Sequence, residues 1–251
     1  MLFPLLFLST SPSLSFAFFG CNRLGPEAWD VTTNPSSANL PQLRQTFDDV
    51  ATLRPRLLFA GGDLVMGYED DRGESLRRQL DAWATEARRL PAAIELVPIP
   101  GNHELNRKKK GVKRSSDYTY SVWKNWIARN GFARRAGNGP SPRTNRMDSL
   151  AEDESKMSYT FDQGSVRFIV LNTDTRSIIP DEVTKTAIAW IPGMWAANRL
   201  ADADRDPLVK AVFVLGHRNL VPGSSVAGDS PVDPRAAAPL IRALARSRKA
   251  R

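Results

Sequence analysis

Short apolar runs that end in polar, glycine-containing turns recur along the chain and predict buried strands. The run at 57–60 leads into Gly-Gly-Asp at 61–63, and the run at 94–99 leads into Gly-Asn-His-Glu at 101–104. Between them, residues 73–90 have the periodicity of a helix. Because a strand, a helix and a second strand follow one another, we expect the two strands to be parallel neighbours. Both polar turns then lie at one edge of the sheet, where ligands bind in open α/β sheets.

The remaining elements are predicted from the same two periodicities. Further strands are expected at 14–19, 157–162, 167–173 and 211–215. Further helices are expected at 40–53, 118–132, 188–203 (interrupted early by Pro192-Gly193) and 236–246. The basic run 107–114 is expected to break regular structure. Stretches rich in Pro, Gly and Asn, at 25–41 and 136–146, are expected to be loops.

Composition narrows the class of protein. The chain has 251 residues, 41% of them hydrophobic and 25% charged, which is typical of a soluble globular protein with a core of ordinary size. A formal net charge of +8 suits an anionic substrate or partner. The single cysteine, Cys21, excludes an internal disulfide. We expect no transmembrane helix.

The N-terminal stretch has two interpretations. Residues 1–15 are apolar and then Ser-rich, as in a signal peptide or a disordered leader, but no Lys or Arg precedes them. In the interpretation that we favour, 14–19 is the first core strand and Gly-Cys-Asn-Arg at 20–23 is its tip. We expect residues 16–251 to form a single domain. The protein is expected to be cytoplasmic, or exported if residues 1–15 act as a signal.

The predicted strand ends carry metal-binding chemistry. Asp63 offers a carboxylate, Asn102 an amide oxygen and His103 an imidazole, which together suggest a divalent metal site. Taken singly, each has an ordinary structural interpretation, as a turn residue or a surface histidine. His217, after the apolar run 211–215, would singly be a partly buried histidine. The chain has 2 histidines, however, and both follow predicted strands.

In their order along the chain, these pieces resemble the motifs of the calcineurin-like metallophosphoesterases. The matching pieces are Gly62-Asp63, Gly-Asn-His-Glu at 101–104, the paired strands within 157–173, and Gly216-His217. The resemblance spans 16–251. It implies an α/β fold, a four-layer α/β/β/α sandwich of two mixed sheets.

The resemblance also implies a reaction and its residues. Two divalent ions (Mn, Fe or Zn) would be bridged by Asp63, and the second ion would also be bound by Asn102 and His217. His103 would face the leaving-group oxygen without binding metal, and Glu104 or a nearby carboxylate would orient its ring. The implied activity is hydrolysis of phosphate mono- or diesters by a metal-bound hydroxide.

The first motif of the family, Asp-x-His, is replaced here by Cys21-Asn22-Arg23. A Cys21 thiolate could bind zinc or iron. Arg23 has no lone pair for a metal, but with Asn22 it could bind a phosphate oxygen and act in catalysis. The alternative is that Cys21 is a small core residue and Arg23 a salt-bridge partner. Both interpretations stay open.

The last motif of the family, Gly-His-x-His after the final helix, does not occur after 236–246. The expected sandwich is therefore incomplete at its C-terminus, either because the chain is a fragment or because the site has lost two imidazole ligands. Asp63, Asn102 and His217 would still hold one ion.

A different class of function competes with catalysis. A catalytically impaired or truncated phosphoesterase-fold protein would bind phosphorylated or polyanionic partners. The basic run 107–114 could attract a phosphate-ester substrate or a nucleic acid, although such runs are usually solvated loops. The sequence does not predict an oligomeric state.

Overall fold

Two three-stranded sheets occupy the centre of the computed structural model, which describes residues 14–68, 72–109, 112–115, 117–179, 189–221 and 232–251. The first sheet contains three parallel strands: β1 (Phe16–Phe19), β2 (Leu57–Gly61) and β3 (Glu95–Ile99). Phe19 lies opposite Ala60. Because the strands are parallel and in this register, the turns that follow them meet at one edge, as predicted.

The basic run after β3 forms a hairpin, so the prediction that it breaks regular structure was wrong. Its described residues form β4 (Asn106–Lys109) and β5 (Val112–Ser115), which pair antiparallel. The pairing places Arg107 opposite Arg114 and Lys108 opposite Lys113. The run consists almost entirely of Lys and Arg, so it lacks the alternation of apolar and polar residues that marks a strand in sequence.

The second sheet is mixed. β6 (Tyr159–Gln163) and β7 (Val166–Val170) form the predicted hairpin, and β8 (Ala211–Leu215) runs parallel to β7. Because β8 is parallel to β7, the C-terminal ends of the two strands lie at the same edge of the sheet. His217, two residues after β8, therefore lies at that edge. All three strand predictions, at 157–162, 167–173 and 211–215, are confirmed.

Six α-helices flank the sheets in the described residues. They are α1 (Leu40–Leu53), α2 (Glu74–Ala87), α3 (Asn102–Leu105), α4 (Asp117–Asn130), α5 (Gly193–Arg205) and α6 (Pro234–Arg246). The helices α1, α2, α4 and α6 confirm the predictions. α5 begins later than expected, because Pro192 precedes its first turn and the Asp148 carboxylate accepts the N–H groups of Met194 and Trp195 at 2.7 and 2.8 Å.

The strands alternate between two cores, as period-2 side chains require. On β7, Phe168 faces the first sheet and packs against Phe59 at 5.1 Å between ring centroids, whereas Ile169 joins the cluster beneath α5 and α6. Trp83 of α2 and Trp126 of α4 cover the other face of the first sheet. The order of layers is therefore α/β/β/α, which confirms the predicted fold.

Two expectations concern membrane and export. In the part of the chain that the structure describes, no helix combines the length and apolar character needed to cross a membrane. Residues 1–13 of the predicted signal-like stretch lie outside the described residues, whereas 16–19 form β1. The single-domain prediction for 16–251 stays a prediction.

Candidate metal centre

The turns after β1, β2, β3 and β8 bring the predicted polar residues together around Asp63. Asp63, Asn102 and His103 are buried, with 1%, 0% and 3% of their surface exposed. His217 lies beside Asp63, and Arg23 approaches it from the turn after β1. Side chains that are distant in sequence thus surround one buried carboxylate.

Glycines allow these turns to approach one another. Gly62 has φ +85, and a Cβ there would lie 2.6 Å from His217 Nδ1. A Cβ at Gly101 would lie 2.4 Å from the Asp63 nitrogen. Asp63 itself adopts φ 52, which is sparsely populated by residues with a side chain. The close packing of the turns therefore depends on residues without a Cβ and on backbone strain at Asp63.

Glu104 ties the turns after β2 and β3 together. Its carboxylate accepts the backbone N–H groups of Asp63 at 3.0 Å, Val65 at 3.1 Å and Gly101 at 2.8 Å. Complete burial and the nearby Asp63 charge raise the pKa of Glu104 to about 7, against the effect of the backbone hydrogen bonds. We expected Glu104 or a neighbour to orient the His103 ring. The structure shows Glu104 holding the backbone, and the carboxylate beside that ring, 3.8 Å from Nε2, is Asp63.

His217 faces two oxygen atoms. Its Nε2 lies 3.3 Å from Asp63 Oδ1 and 3.2 Å from Asn102 Oδ1. Its other nitrogen, Nδ1, lies 2.8 Å from the Gly61 carbonyl oxygen, which can only accept a hydrogen bond. Nδ1 therefore carries a proton, and the lone pair of the neutral ring belongs to Nε2.

Tyr68 sets the orientation of the Asn102 amide. Asn102 Nδ2 donates a hydrogen bond to the Tyr68 hydroxyl, which turns Oδ1 toward His217. The Tyr68 ring also lies against the His103 ring, with 3.8 Å between centroids. Tyr68 was missed from the sequence because nothing in the spacing of its loop, where it adopts φ 67, marks it as part of a site.

Asp63 Oδ1, Asn102 Oδ1 and His217 Nε2 form a set of three acceptors that requires a cation. Acceptors this close repel one another unless a proton or a metal ion lies among them. Their separations of 3.2 and 3.3 Å match the roughly 3.0–3.4 Å between ligands bound at about 2.0–2.2 Å from a metal. This donor set therefore fits a divalent ion.

The pKa values of this set agree with that requirement. Burial lowers the pKa of His217, but the hydrogen bond and charge of Asp63 outweigh it and raise the pKa to about 9. Burial likewise raises the pKa of Asp63, yet the hydrogen bond of His217 and the charges of His103, His217 and Arg23 hold it well below its usual range. Without metal, a proton on His217 supplies the cation.

The other oxygen of Asp63 has different neighbours. Oδ2 lies 3.1 Å from Arg23 Nε and 3.8 Å from the Cys21 sulfur. Cys21 is solvent-exposed and is therefore not a core residue. Partial desolvation by the surrounding loops and the Asp63 carboxylate raise the pKa of the Cys21 thiol to about 11. Oδ2 thus faces a guanidinium and a protonated thiol.

Asn22 is buried between these residues, with 5% of its surface exposed. Its backbone N–H donates to the Asp63 carbonyl oxygen at 3.2 Å. Within the described part of the chain, its side-chain Oδ1 has no hydrogen-bond partner. This buried acceptor therefore has unused hydrogen-bonding capacity within the described residues.

His103 presents one nitrogen toward the centre. Its Nδ1 is hydrogen-bonded to the Met66 carbonyl oxygen, so Nδ1 carries a proton. Its Nε2 lies on the Oδ2 side of Asp63. His103 is thereby held in the centre without lying among the three convergent acceptors.

A buried ion pair next to His217 was also missed. Arg218 donates to both oxygens of Asp174, at 2.8 and 2.9 Å, and Asn106 Nδ2 donates to the same carboxylate at 3.2 Å. This pair links the turn after β8 to the residue that follows α3. It supports the two turns that carry His217 and Asn102.

No set of three or more His, Cys, Asp or Glu side chains suited to a metal ion occurs in 14–251 outside the undescribed gaps. The set at Asp63 reaches three donors only through the Asn102 amide. The donors for a second ion that the family pattern implies are therefore not assembled in the described residues.

Comparison with known proteins gives a likeness in fold. No protein-family model and no curated protein sequence matches the chain. A dimetal phosphatase from Danio rerio is similar, with a TM-score of 0.54 and 15% identity, over 94% of this chain and 79% of that one. A purple acid phosphatase from yellow lupin (Lupinus luteus) seeds has a TM-score of 0.48 and 18% identity, over 84% of this chain and 31% of that one. The chain has the metallophosphoesterase fold.

Proposed function

We propose that this chain hydrolyses phosphate mono- or diesters with a divalent metal ion held by Asp63, Asn102 and His217. The observation that carries the proposal is that His217 Nε2 lies 3.3 Å from Asp63 Oδ1 and 3.2 Å from Asn102 Oδ1, both of which belong to buried residues. The likeness in fold to a dimetal phosphatase supports it. Manganese, iron and zinc all accept a carboxylate, an amide oxygen and an imidazole.

The chemistry that such an ion supplies when bound is Lewis-acid stabilisation of the phosphoryl oxygens and activation of water at neutral pH. The protein's part is to fix the donors in advance. The Gly61 carbonyl orients His217, and the Tyr68 hydroxyl orients the Asn102 amide. Preoriented donors avoid the cost of rearrangement when the ion binds.

His103 is the proposed proton donor to the leaving group. Its Nδ1 proton is engaged by the Met66 carbonyl, so the protonated ring would act through Nε2. Nε2 lies 3.8 Å from Asp63 Oδ2, beyond hydrogen-bonding distance of that oxygen. A protonated imidazole there either transfers its proton to the departing oxygen or stabilises its charge.

Arg23 and Asn22 are the proposed substrate-binding residues. A guanidinium binds phosphoryl oxygens through its parallel N–H groups, and Arg23 retains 23% side-chain exposure. The Asn22 side chain lies in the same turn, at the edge of the centre. Cys21 stays a predicted metal ligand, which it becomes only after it loses the thiol proton to a zinc or iron ion.

A second candidate function is favoured by the ion pair of Arg23 with Asp63. An arginine at a family ligand position is also what a phosphate-binding protein without catalysis would have. Such a protein would keep the fold and bind phosphorylated or polyanionic partners.

The test is hydrolysis of p-nitrophenyl phosphate and bis(p-nitrophenyl) phosphate by the purified full chain. Turnover is measured with Mn²⁺, Zn²⁺ or Fe²⁺ and after chelation. We expect metal-dependent turnover that falls on the order of 100-fold or more in Asp63→Asn, as when one preorganised electrostatic group is removed from an active site. The matched control is Asp49→Asn, which makes the same replacement of a carboxylate by an amide at an exposed position on α1 and should leave turnover unchanged.

Two outcomes contradict catalysis. One is a folded protein that shows no turnover with any of the metals. The other is turnover that Asp63→Asn retains, because the activity would then come from a contaminant or another site. Absent turnover with retained affinity for inorganic phosphate would favour the binding protein.

A further inference from the structure

The two oxygens of the Asp63 carboxylate are occupied by different kinds of cation partner. Oδ1 lies 3.3 Å from His217 Nε2, an imidazole nitrogen that can coordinate a metal ion. Oδ2 lies 3.1 Å from Arg23 Nε, which does not lose its proton in proteins. A carboxylate that would bridge two ions in the resembling family therefore has a permanent protein cation on one side.

The backbone holds Arg23 in this position. The N–H groups of Asn22 and Arg23 both donate to the Asp63 carbonyl oxygen, each at 3.2 Å. On the other side of the turn, Arg23 forms an isolated antiparallel bridge with Ala38. These backbone contacts fix the Cα of Arg23 next to the turn that carries Asp63, and the guanidinium then meets Oδ2 through Nε.

The same turn offers poor donors for a metal ion at Oδ2. In the described residues 20–23, the side chains that contact Asp63 are the Cys21 thiol and the Arg23 guanidinium. The guanidinium has no lone pair for a metal and repels a second positive charge. The imidazole on this side, His103, has its Nε2 3.8 Å from Oδ2, and its Nδ1 is held by the Met66 carbonyl oxygen. The donor set at Oδ1 fits a metal, whereas the surroundings of Oδ2 do not.

We propose that this centre takes one divalent ion, at Oδ1, and that the Arg23 guanidinium is its second cation. Paired with Oδ2, Arg23 neutralises Asp63 and binds a phosphoryl oxygen of the substrate. Among the described residues its terminal NH₂ groups have no hydrogen-bond partner, and the side chain is 23% exposed, so these groups are accessible to a ligand. This inference rests on the proposed phosphoesterase function.

The number of ions is measured directly by equilibrium dialysis of the full chain against Mn²⁺, with metal and protein quantified. We expect one Mn²⁺ per chain and the electron paramagnetic resonance spectrum of an isolated ion. Two equivalents of similar affinity, or the spectrum of an exchange-coupled pair, would overturn the proposal, as would the absence of binding.

A double variant tests whether Arg23 excludes the second ion. Cys21→Asp combined with Arg23→His places a carboxylate and an imidazole beside Oδ2, and we expect a second equivalent of Mn²⁺ to bind. Arg44→His is the matched control, because Arg44 pairs with Glu86 on the exposed face of α1 and should leave the stoichiometry at one. A rebuilt variant that folds normally and still binds one ion would count against the role of Arg23.

Arg23→Ala provides a readout that does not depend on the rebuilt variant. It should weaken inorganic phosphate binding to the Mn²⁺-loaded protein by about 10-fold to 100-fold, the range for a lost hydrogen bond to a charged group. It should also bind Mn²⁺ more tightly, because a repelling charge is gone. A metal ligand or a purely structural residue would weaken Mn²⁺ binding instead, and that result would overturn the proposal.

The outcomes separate this inference from the proposed function. One ion per chain without turnover would refute the phosphoesterase and leave the single-ion centre standing. Two ions with turnover would refute the single-ion centre and leave the phosphoesterase standing.

Discussion

The two sides of the Asp63 carboxylate differ in what can replace the partner that each now holds. On the Oδ1 side, the proton of His217 can be exchanged for a metal ion, and Asn102 adds a neutral oxygen 3.2 Å from the same nitrogen. On the Oδ2 side, Arg23 is a cation that neither dissociates nor coordinates. The same carboxylate therefore has one exchangeable and one fixed partner.

This difference teaches that whether a carboxylate oxygen binds a metal ion depends on the neighbouring groups more than on the carboxylate itself. Both oxygens of Asp63 are buried in the same turn, yet Oδ1 lies 3.3 Å from the His217 imidazole, whereas Oδ2 lies 3.1 Å from the Arg23 guanidinium. A charge that is already neutralised by a fixed cation offers little to a second ion.

Replacing His217, the exchangeable partner of Asp63, should have the largest effect on metal binding. His217→Asn should weaken Mn²⁺ binding by about 1000-fold, more than the 10–100-fold typical of residues that only support a ligand. Cys21→Ser, on the fixed side, should change it by less than about threefold, because oxygen there replaces a thiol that is protonated in the free protein. Calorimetric titration of both variants makes the comparison, and equal losses would erase the distinction between the two sides.

Both oxygens of Asp63 depend on the turn that carries this residue, and loss of the Glu104 carboxylate should destabilise that turn. Glu104→Ala leaves three buried N–H groups without their acceptor, and we expect a loss of about 3 kcal/mol in the free energy of unfolding. Glu86→Ala, which removes an exposed ion pair with Arg44, should cost less than about 1 kcal/mol. Denaturant unfolding measures both, and equal small losses would show that Glu104 does not hold the turns.

The exchangeable partner should make the metal-free protein sensitive to pH. The pKa of His217 rises from its ordinary 6.5 to about 9 in the folded state, so its stabilising effect is complete below pH 6.5 and is lost as pH rises through 9. We expect the metal-free protein to lose on the order of 2 kcal/mol of unfolding free energy over this window.

The variant His217→Asn tests whether His217 causes this pH dependence. Arg23 stays charged throughout, whereas His217→Asn should reduce the loss between pH 6.5 and 9 by the share that His217 contributes. Denaturant unfolding in the presence of chelator measures it. An unchanged pH dependence in the variant would show that another group is responsible.

Losing a residue that only positions a donor should have the smallest effect. Tyr68→Phe removes the hydroxyl that accepts from Asn102 Nδ2 and frees the amide to turn. Mn²⁺ affinity should fall about tenfold, while the melting temperature stays within a few degrees of the parent value. A variant with unchanged affinity would remove Tyr68 from the site.

The residues that sequence could place were those whose position follows from strand ends. Asp63 and Asn102 follow apolar runs whose parallel pairing brings their ends together. His217 follows a strand of the second sheet and reaches them because the two sheets pack against each other. Arg23 was placed beside the centre by the same logic, because it follows β1.

The contacts that sequence could not supply arise from side chains in irregular loops. Tyr68 meets Asn102 only because its loop takes a left-handed turn, and Glu104 binds backbone groups that no residue pattern reveals. Whether Arg23 would bind a phosphate or pair with a carboxylate was also open, since its partner depends on the distance between two turns. The hairpin at 106–115 was missed because its charged residues mask a strand pattern.

Crystals grown with Mn²⁺ and measured for anomalous scattering test the central claim most directly. We predict one strong peak at about 2.0–2.2 Å from Asp63 Oδ1, Asn102 Oδ1 and His217 Nε2, with Arg23 still on Oδ2. A fully loaded crystal with no peak among these three atoms, or with its Mn²⁺ bound elsewhere, would contradict the account.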